Sequence, residues 1–140
     1  MKIIFARNRS VASLIIRLVT WSRWHHCAVI MPDGLTVIES LGGLWGDTGV
    51  IETPIKEFKS RYSTIEIAEI DCVDDQGYDF LRSQLGKKYD FLAIFGILFR
   101  TGWDNHNRWI CSELIAGATG QFRKARVSRV TPEHLWMISK

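Results

Sequence analysis

Cys111 stands where a polar, turn-forming segment (Asp104, Asn105, His106, Asn107) gives way to the helix-like run ICSELIAGATG. In the first turn of a helix a sulfur faces unpaired backbone N–H groups and the positive end of the helix dipole. Both favour thiolate over thiol and can pull a cysteine well below its free pKa of about 8.5. The same N–H groups can hold a developing oxyanion. Most free cysteines are small buried hydrophobes, so the position gains chemical meaning only with a proton-transfer partner. Four histidines are available: His25, His26, His106 and His134. His106 lies among loop-formers and His134 in a final helix, both ordinary places for a surface histidine. His25 and His26 differ, because they precede the very apolar run CAVIM, where a polar side chain is costly unless paired. A catalytic imidazole is usually oriented by a third polar group. Glu39, within TVIES, is placed for that role, although a glutamate at a strand end commonly just reaches solvent.

These residues sit on a predicted β-hairpin, HCAVIM and LTVIES about the turn signal PDG. Side chains alternate along each strand, so loop length decides which histidine shares a face with Glu39. A three-residue loop places Glu39 with His25. A two- or four-residue loop, or a bulge, places it with His26.

Ser10 can cap a helix over 10–24, with Val11, Leu14, Ile15, Leu18 and Trp21 at helical spacing. Residues 49–58 read as a loop with a short extended piece. STIEIAEID, with Ile65, Ile67 and Ile70 set against Glu66 and Glu69, reads as a half-buried strand. Residues 74–86 read as a helix with Asp74 or Asp75 at its positive end, stopped by Gly86. The run from Lys87 to Phe99 fits either a buried helix or a strand, with the helix favoured. A helix over 110–119 ends at Gly120, and Thr131 caps a short final helix with Pro132 and Glu133 behind it. Helix, hairpin, strand, helices is the order of an α+β chain, not a βαβ repeat. With 140 residues and no repeat or linker, one domain over 1–140 is expected.

HCAVIMPDGLTVIES, then GVIETPI, GKKYDF and ICSELI, resembles the NlpC-type papain-like cysteine hydrolases in their circularly permuted YiiX/YaeF-like branch. There too the histidine hairpin precedes the cysteine helix. HCAVI is similar to the family's His-Val-Gly-Ile-Val strand, with Ala28 in place of the glycine. The likeness spans about residues 10–135. It implies a single permuted papain-like domain, with an antiparallel sheet packed against the cysteine helix. It also implies Cys111 as nucleophile, His26 as base, Glu39 as orienting residue, and Tyr89 near the oxyanion site with Cys111. The activity implied is an amidase, peptidase or related acyl hydrolase, on peptide-like substrates such as cell-wall peptides or on lipid acyl groups, without a cofactor. Trp24, Trp45, Trp103 and Trp109 would line an apolar cleft. A non-catalytic binding module keeping the fold is the competing reading.

The net charge of +3 comes from scattered Lys and Arg, so no nucleic-acid partner is expected; the RKARVSR cluster reads as solvated surface. DNHN has no other part of a nuclease site around it. A metal site from His25, His26, Cys27 and Cys111 is disfavoured, because adjacent strand residues face opposite ways and no CxxC or HxxxH spacing occurs. Three cysteines make no disulfide framework and suit a reducing, cytoplasmic setting. No signal peptide is expected, and the longest apolar run, 91–99, is about half of what a membrane span needs, so no stable insertion is expected. A bacterial or phage origin is expected.

Overall fold

The computed structural model describes residues 1–42, 49–73, 76–89, 108–122 and 129–140. Its centre is a five-stranded antiparallel sheet ordered β4-β3-β2-β1-β5: β1 Lys2–Arg7, β2 His26–Ile30, β3 Thr36–Leu41, β4 Gly49–Pro54 and β5 Thr64–Glu69. Helices α1 Val11–Thr20, α2 Ile55–Ser60, α3 Gly77–Ser83, α4 Cys111–Thr119 and α5 Pro132–Met137 surround it. Two short strands, β6 Lys88–Tyr89 and β7 Arg108–Trp109, pair in parallel. The chain is therefore α+β, as its element order predicts.

β1 is the strand that periodicity does not reveal. It lies between β2 and β5, and Ile3, Ile4, Phe5 and Ala6 are all fully buried. A strand covered on both faces shows a continuous apolar run rather than alternation. On one face Ile3, Phe5, Cys27, Val29 and Ile38 join Leu114 and Ile115 of α4. On the other, Ile4, Ala6, Ala28, Ile30 and Val37 meet Phe58 of α2.

Residues 49–58 are not the loop expected: Gly49–Pro54 is a full strand along β3, and α2 follows at once. The alternation in β5 also divides differently. Ile65 packs on the α2 side, Ile67 is exposed, and Ala68 and Ile70 face the α4 core. α3 begins at Gly77; Asp74 and Asp75 lie outside the described residues. The helix expected from Lys87 begins instead with β6, and 90–99 lies outside the described residues. α4 ends at Gly120 (φ 67°), and Thr131 Oγ1 caps α5 by accepting the His134 N–H. In α1, Ser10 caps as predicted, accepting the Ser13 N–H at 3.1 Å, yet the apolar positions turn outward and Ser13 is the buried one. Among the described residues no helix is long and apolar enough to cross a membrane.

Gly49 starts β4 at φ 140°, and a Cβ there would lie 2.2 Å from the Lys87 carbonyl oxygen. That oxygen accepts the Val50 N–H at 2.8 Å, so the close approach joins β4 to the segment leading into β6. Gly49→Ala should lower unfolding stability by on the order of 2 kcal/mol or more, read as a lower urea midpoint at unchanged slope.

Candidate functional site

The β2–β3 turn determines which histidine shares a face with Glu39. Met31 N–H donates to Thr36 O, so Pro32, Asp33, Gly34 and Leu35 form a four-residue loop. Asp33 Oδ1 accepts the Leu35 and Thr36 N–H groups, and Gly34 sits at φ 69°. Leu35, which in isolation looks like the first residue of a strand, is spent in the turn. The register Val29↔Ile38 and Ile30↔Val37 then sets Glu39 opposite Ala28, on the face of His26.

His26 Nε2 and Glu39 Oε2 are 2.7 Å apart. The other carboxylate oxygen accepts Thr53 Oγ1 of β4 at 2.7 Å and Nη2 of Arg61, the residue ending α2. Glu39 is fully buried, and these three donors replace the water it has lost. Phe58 and Tyr62 stack on the His26 ring at 5.8 and 5.7 Å between centroids. With Nε2 engaged by Glu39, Nδ1 is the nitrogen left for Cys111, which hydrogen-bonds the ring.

Cys111 is the first residue of α4, with Ile110 at the N-cap in extended conformation. Three contacts fix this helix start. Glu113 Oε2 accepts the Ile110 N–H at 3.2 Å, Ser112 Oγ donates to Val130 O at 2.6 Å, and Ser40 Oγ donates to Trp109 O at 2.6 Å. Strand parity supplies one more. Met31 N–H faces β3, so the N–H groups of Val29 and Cys27 face the same way. The β2–β3 pairing does not reach Cys27, and its N–H turns to the Cys111 sulfur instead.

The Cys27 thiol hydrogen bond is the largest influence lowering the Cys111 pKa. Burial opposes it, and the His26 hydrogen bond and charge, with the Cys27 N–H, carry the thiol well below its ordinary range. Cys27 moves the other way: burial and the neighbouring Cys111 charge keep it protonated. Burial alone would depress His26. Its hydrogen bonds to Cys111 and Glu39, and their charges, override this and raise it to about 9. Burial pushes the Glu39 carboxyl up, but His26, Arg61 and Thr53 bring it down to about 2. His25 is lowered to about 4, by burial first and the His26 charge second.

The structure thus brings Cys111, His26 and Glu39 together. His25 lies outside that relay, against Tyr62 at 5.6 Å, with no hydrogen-bond partner for Nδ1 among the described residues. Tyr89 pairs with Trp109, two residues before Cys111, and its ring lies against Gly42 at the end of β3. Trp24 lines no cleft: it is core, packed on Phe5 and Trp136. Trp109 sits edge-on to Phe80 and donates Nε1 to Gln84. Trp45, Trp103, His106 and the DNHN segment lie outside the described residues, as does most of RKARVSR. Cys27, Thr53 and Arg61 escape sequence reasoning. The one available signal is parity, which places Thr53 and Glu39 on adjacent strands; Arg61 has none.

No protein-family profile matches the sequence, and no curated protein matches it. Among solved structures the chain is similar to the metalloprotein yiiX from Escherichia coli, with a TM-score of 0.61 and 24% identity. The match covers 84% of this chain and 62% of that one, so this chain spans less than two thirds of that protein's length. At this identity the likeness shows the fold. That protein is named for a metal. Among the described residues here no group of three or more His, Cys, Asp or Glu side chains is placed to hold one. His26 and Glu39 already use their donor atoms on each other, Cys111, Thr53 and Arg61, so the site does not fit a metal.

A lowered Cys111 thiol predicts selective iodoacetamide labelling of Cys111, read by peptide mass spectrometry, with an inflection below neutral pH and no adduct on Cys27. Glu39→Gln should move that inflection upward by weakening the imidazolium. The linkage signs follow. His26, raised above 6.5, adds stability in full below about 6.5, and this is lost as pH rises through about 9. Glu39, lowered from 4.5, adds stability above that value, lost as pH falls toward about 2.

Proposed function

We propose that the protein is a cysteine hydrolase with a permuted NlpC-type papain-like fold, acting on an amide, ester or thioester through a thioacyl intermediate. The observation that carries this reading is the Cys111 sulfur at a helix N-terminus, beside an imidazole oriented by a buried carboxylate. The likeness to yiiX supports the permuted order of elements. The Cys111 thiolate attacks the carbonyl carbon, and the new C–S bond pushes the carbonyl electrons onto oxygen. First-turn N–H groups of α4 face the resulting oxyanion, and Tyr89 is the proposed further neighbour. His26 gives its proton to the leaving nitrogen, oxygen or sulfur as the old acyl bond breaks. The neutral imidazole then takes a proton from water. Hydroxide adds to the thioester, and the acid departs as Cys111 leaves as thiolate, with the proton back on His26. Glu39 stays ionised throughout, holding the ring and its charge. Peptide-like amides, cell-wall peptides among them, and lipid acyl groups are the proposed substrate classes.

The test is acyl transfer from an activated ester, followed by turnover on ester and peptide-anilide panels. The wild type should gain one acyl group on Cys111, and Cys111→Ser should gain none while keeping the folded circular-dichroism spectrum. His26→Ala should slow acylation by about 10²- to 10⁴-fold, the usual range for a lost acid–base group. Glu39→Gln should cost less, and Cys72→Ser nothing. Cys27→Ser should remain active, since a hydroxyl can still donate to the Cys111 sulfur. Acylation unaffected by Cys111→Ser or by His26→Ala would remove the enzyme reading and leave a binding module.

A further inference from the structure

α1 turns its larger apolar face outward. On a helical wheel Val11, Leu14, Ile15 and Leu18 make one apolar face, and Ser13, Ile16, Arg17 and Thr20 lie on the opposite side, where Ile16 is half-buried. An amphipathic helix of a globular domain normally buries its apolar face. Here Ser13 is buried, and the Arg17 Nε is sequestered too. Val11 is 73% exposed and Leu18 66%, with Leu14 and Ile15 also exposed. Trp21 ends the helix at φ 52°, a left-handed conformation usually left to glycine, and holds its indole 90% exposed. Five large apolar side chains thus form one patch along a helix about 15 Å long. Scattered apolar residues need no explanation, but a contiguous face does.

The charge around this face identifies what it meets. Residues 1–32 contain Lys2, Arg7, Arg9, Arg17 and Arg23 and no Asp or Glu. Arg23 is paired with Glu133, whereas Arg7, Arg9 and Arg17 have no carboxylate partner among the described residues. Those three line one recess of about 350 Å³ at the start of α1, together with Ser10, Leu14 and Ser63. A recess lined by three guanidinium groups suits a phosphate diester. Leu14 belongs both to the recess and to the apolar face.

We infer that α1 is an interfacial helix that docks the protein on an anionic phospholipid surface. Val11, Leu14, Ile15, Leu18 and Trp21 enter the acyl boundary, and the Arg7–Arg9–Arg17 recess takes a lipid phosphate. Apolar area along one helix face plus flanking cations is the composition that makes a helix lie in the membrane plane. Trp at the end of such a face is an interfacial anchor. The helix lies on the bilayer and does not cross it. This docking does not depend on the hydrolase reading, so Cys111→Ser should bind equally well.

The experiment is co-sedimentation of the full chain with vesicles of phosphatidylcholine, alone or mixed with phosphatidylglycerol. Binding is expected to the mixed vesicles, weaker to phosphatidylcholine alone, and weakened by salt. Leu18→Glu and Ile15→Glu should each lower affinity at least about tenfold without lowering the melting temperature, because these side chains are largely solvent-exposed in the fold. Arg9→Glu should reduce binding to the mixed vesicles more than it reduces binding to phosphatidylcholine alone. Brominated lipid should quench a fluorescence component absent from Trp21→Phe. No binding to the mixed vesicles, or equal binding by a folded Leu18→Glu variant, would overturn the inference. So would a wild-type dimer that Leu18→Glu separates, because a second copy would then cover the face. Acrylamide failing to reach Trp21 in the absence of lipid would overturn it as well.

Discussion

The buried Glu39 carboxylate is the interaction around which the sheet and site are organised. An ionised carboxylate with no exposure is strongly unfavourable in isolation, and removing one partner from such a group typically costs about 3–5 kcal/mol. Its three partners come from three elements: His26 from β2, Thr53 from β4 and Arg61 from the end of α2. Each is correctly placed only if the β2–β3 and β3–β4 registers and the α2 docking are all right. A one-residue slip of β3 would turn Glu39 toward Ile38's side of the sheet, into the α4 core. The requirement that orients the imidazole therefore also penalises the wrong strand pairings.

The second constraint is an opening in the sheet. β2 and β3 pair at Val29–Ile38 and Ile30–Val37, but their pairing does not continue to His26 and Leu41. β1 still holds the His26 end of β2 through Ala6 and Phe5, and β4 holds the far end of β3. The gap therefore has two rigid sides. The start of α4 occupies it, tied to β3 through Ser40 and Trp109. Only there can one sulfur meet two consecutive residues of a strand: the backbone and thiol of Cys27 on the α4 side, and the imidazole of His26, which packs with Phe58 and Tyr62 on the α2 side.

This geometry explains what the sequence made legible. Cys111 at a helix start, the hairpin and Glu39 within it are local signals, and each is readable from a few neighbours. The choice between His25 and His26 depended on whether Leu35 belongs to the turn. Asp33 settles it by capping both the Leu35 and Thr36 N–H groups, which lengthens the loop to four residues. β1 was hidden because burial on both faces erases the period-two pattern. Arg61 was hidden because nothing in residues 55–61 says that the end of this short helix points back at Glu39 of β3. α1 misleads for the opposite reason. Its period is clear, but periodicity reports that a face is apolar, not which side of the helix the fold covers.

His25 and His26 show how completely surroundings determine chemistry. They are identical side chains on consecutive residues, yet one titrates near 4 and the other near 9. Burial depresses both. His26 escapes because it lies between two anions, Glu39 and Cys111, each hydrogen-bonded to its ring. His25 has no such carboxylate, and the charge His26 carries is itself a reason for His25 to stay neutral. At neutral pH the pair therefore carries one positive charge, kept on the ring that touches the sulfur. A second cationic ring there would weaken the anchoring of the imidazolium by like-charge repulsion. The neutral His25 thus belongs to the same electrostatic arrangement as the charged His26. Its packing against Tyr62, whose hydroxyl burial and the Glu39 charge keep protonated, holds that neutral environment in place.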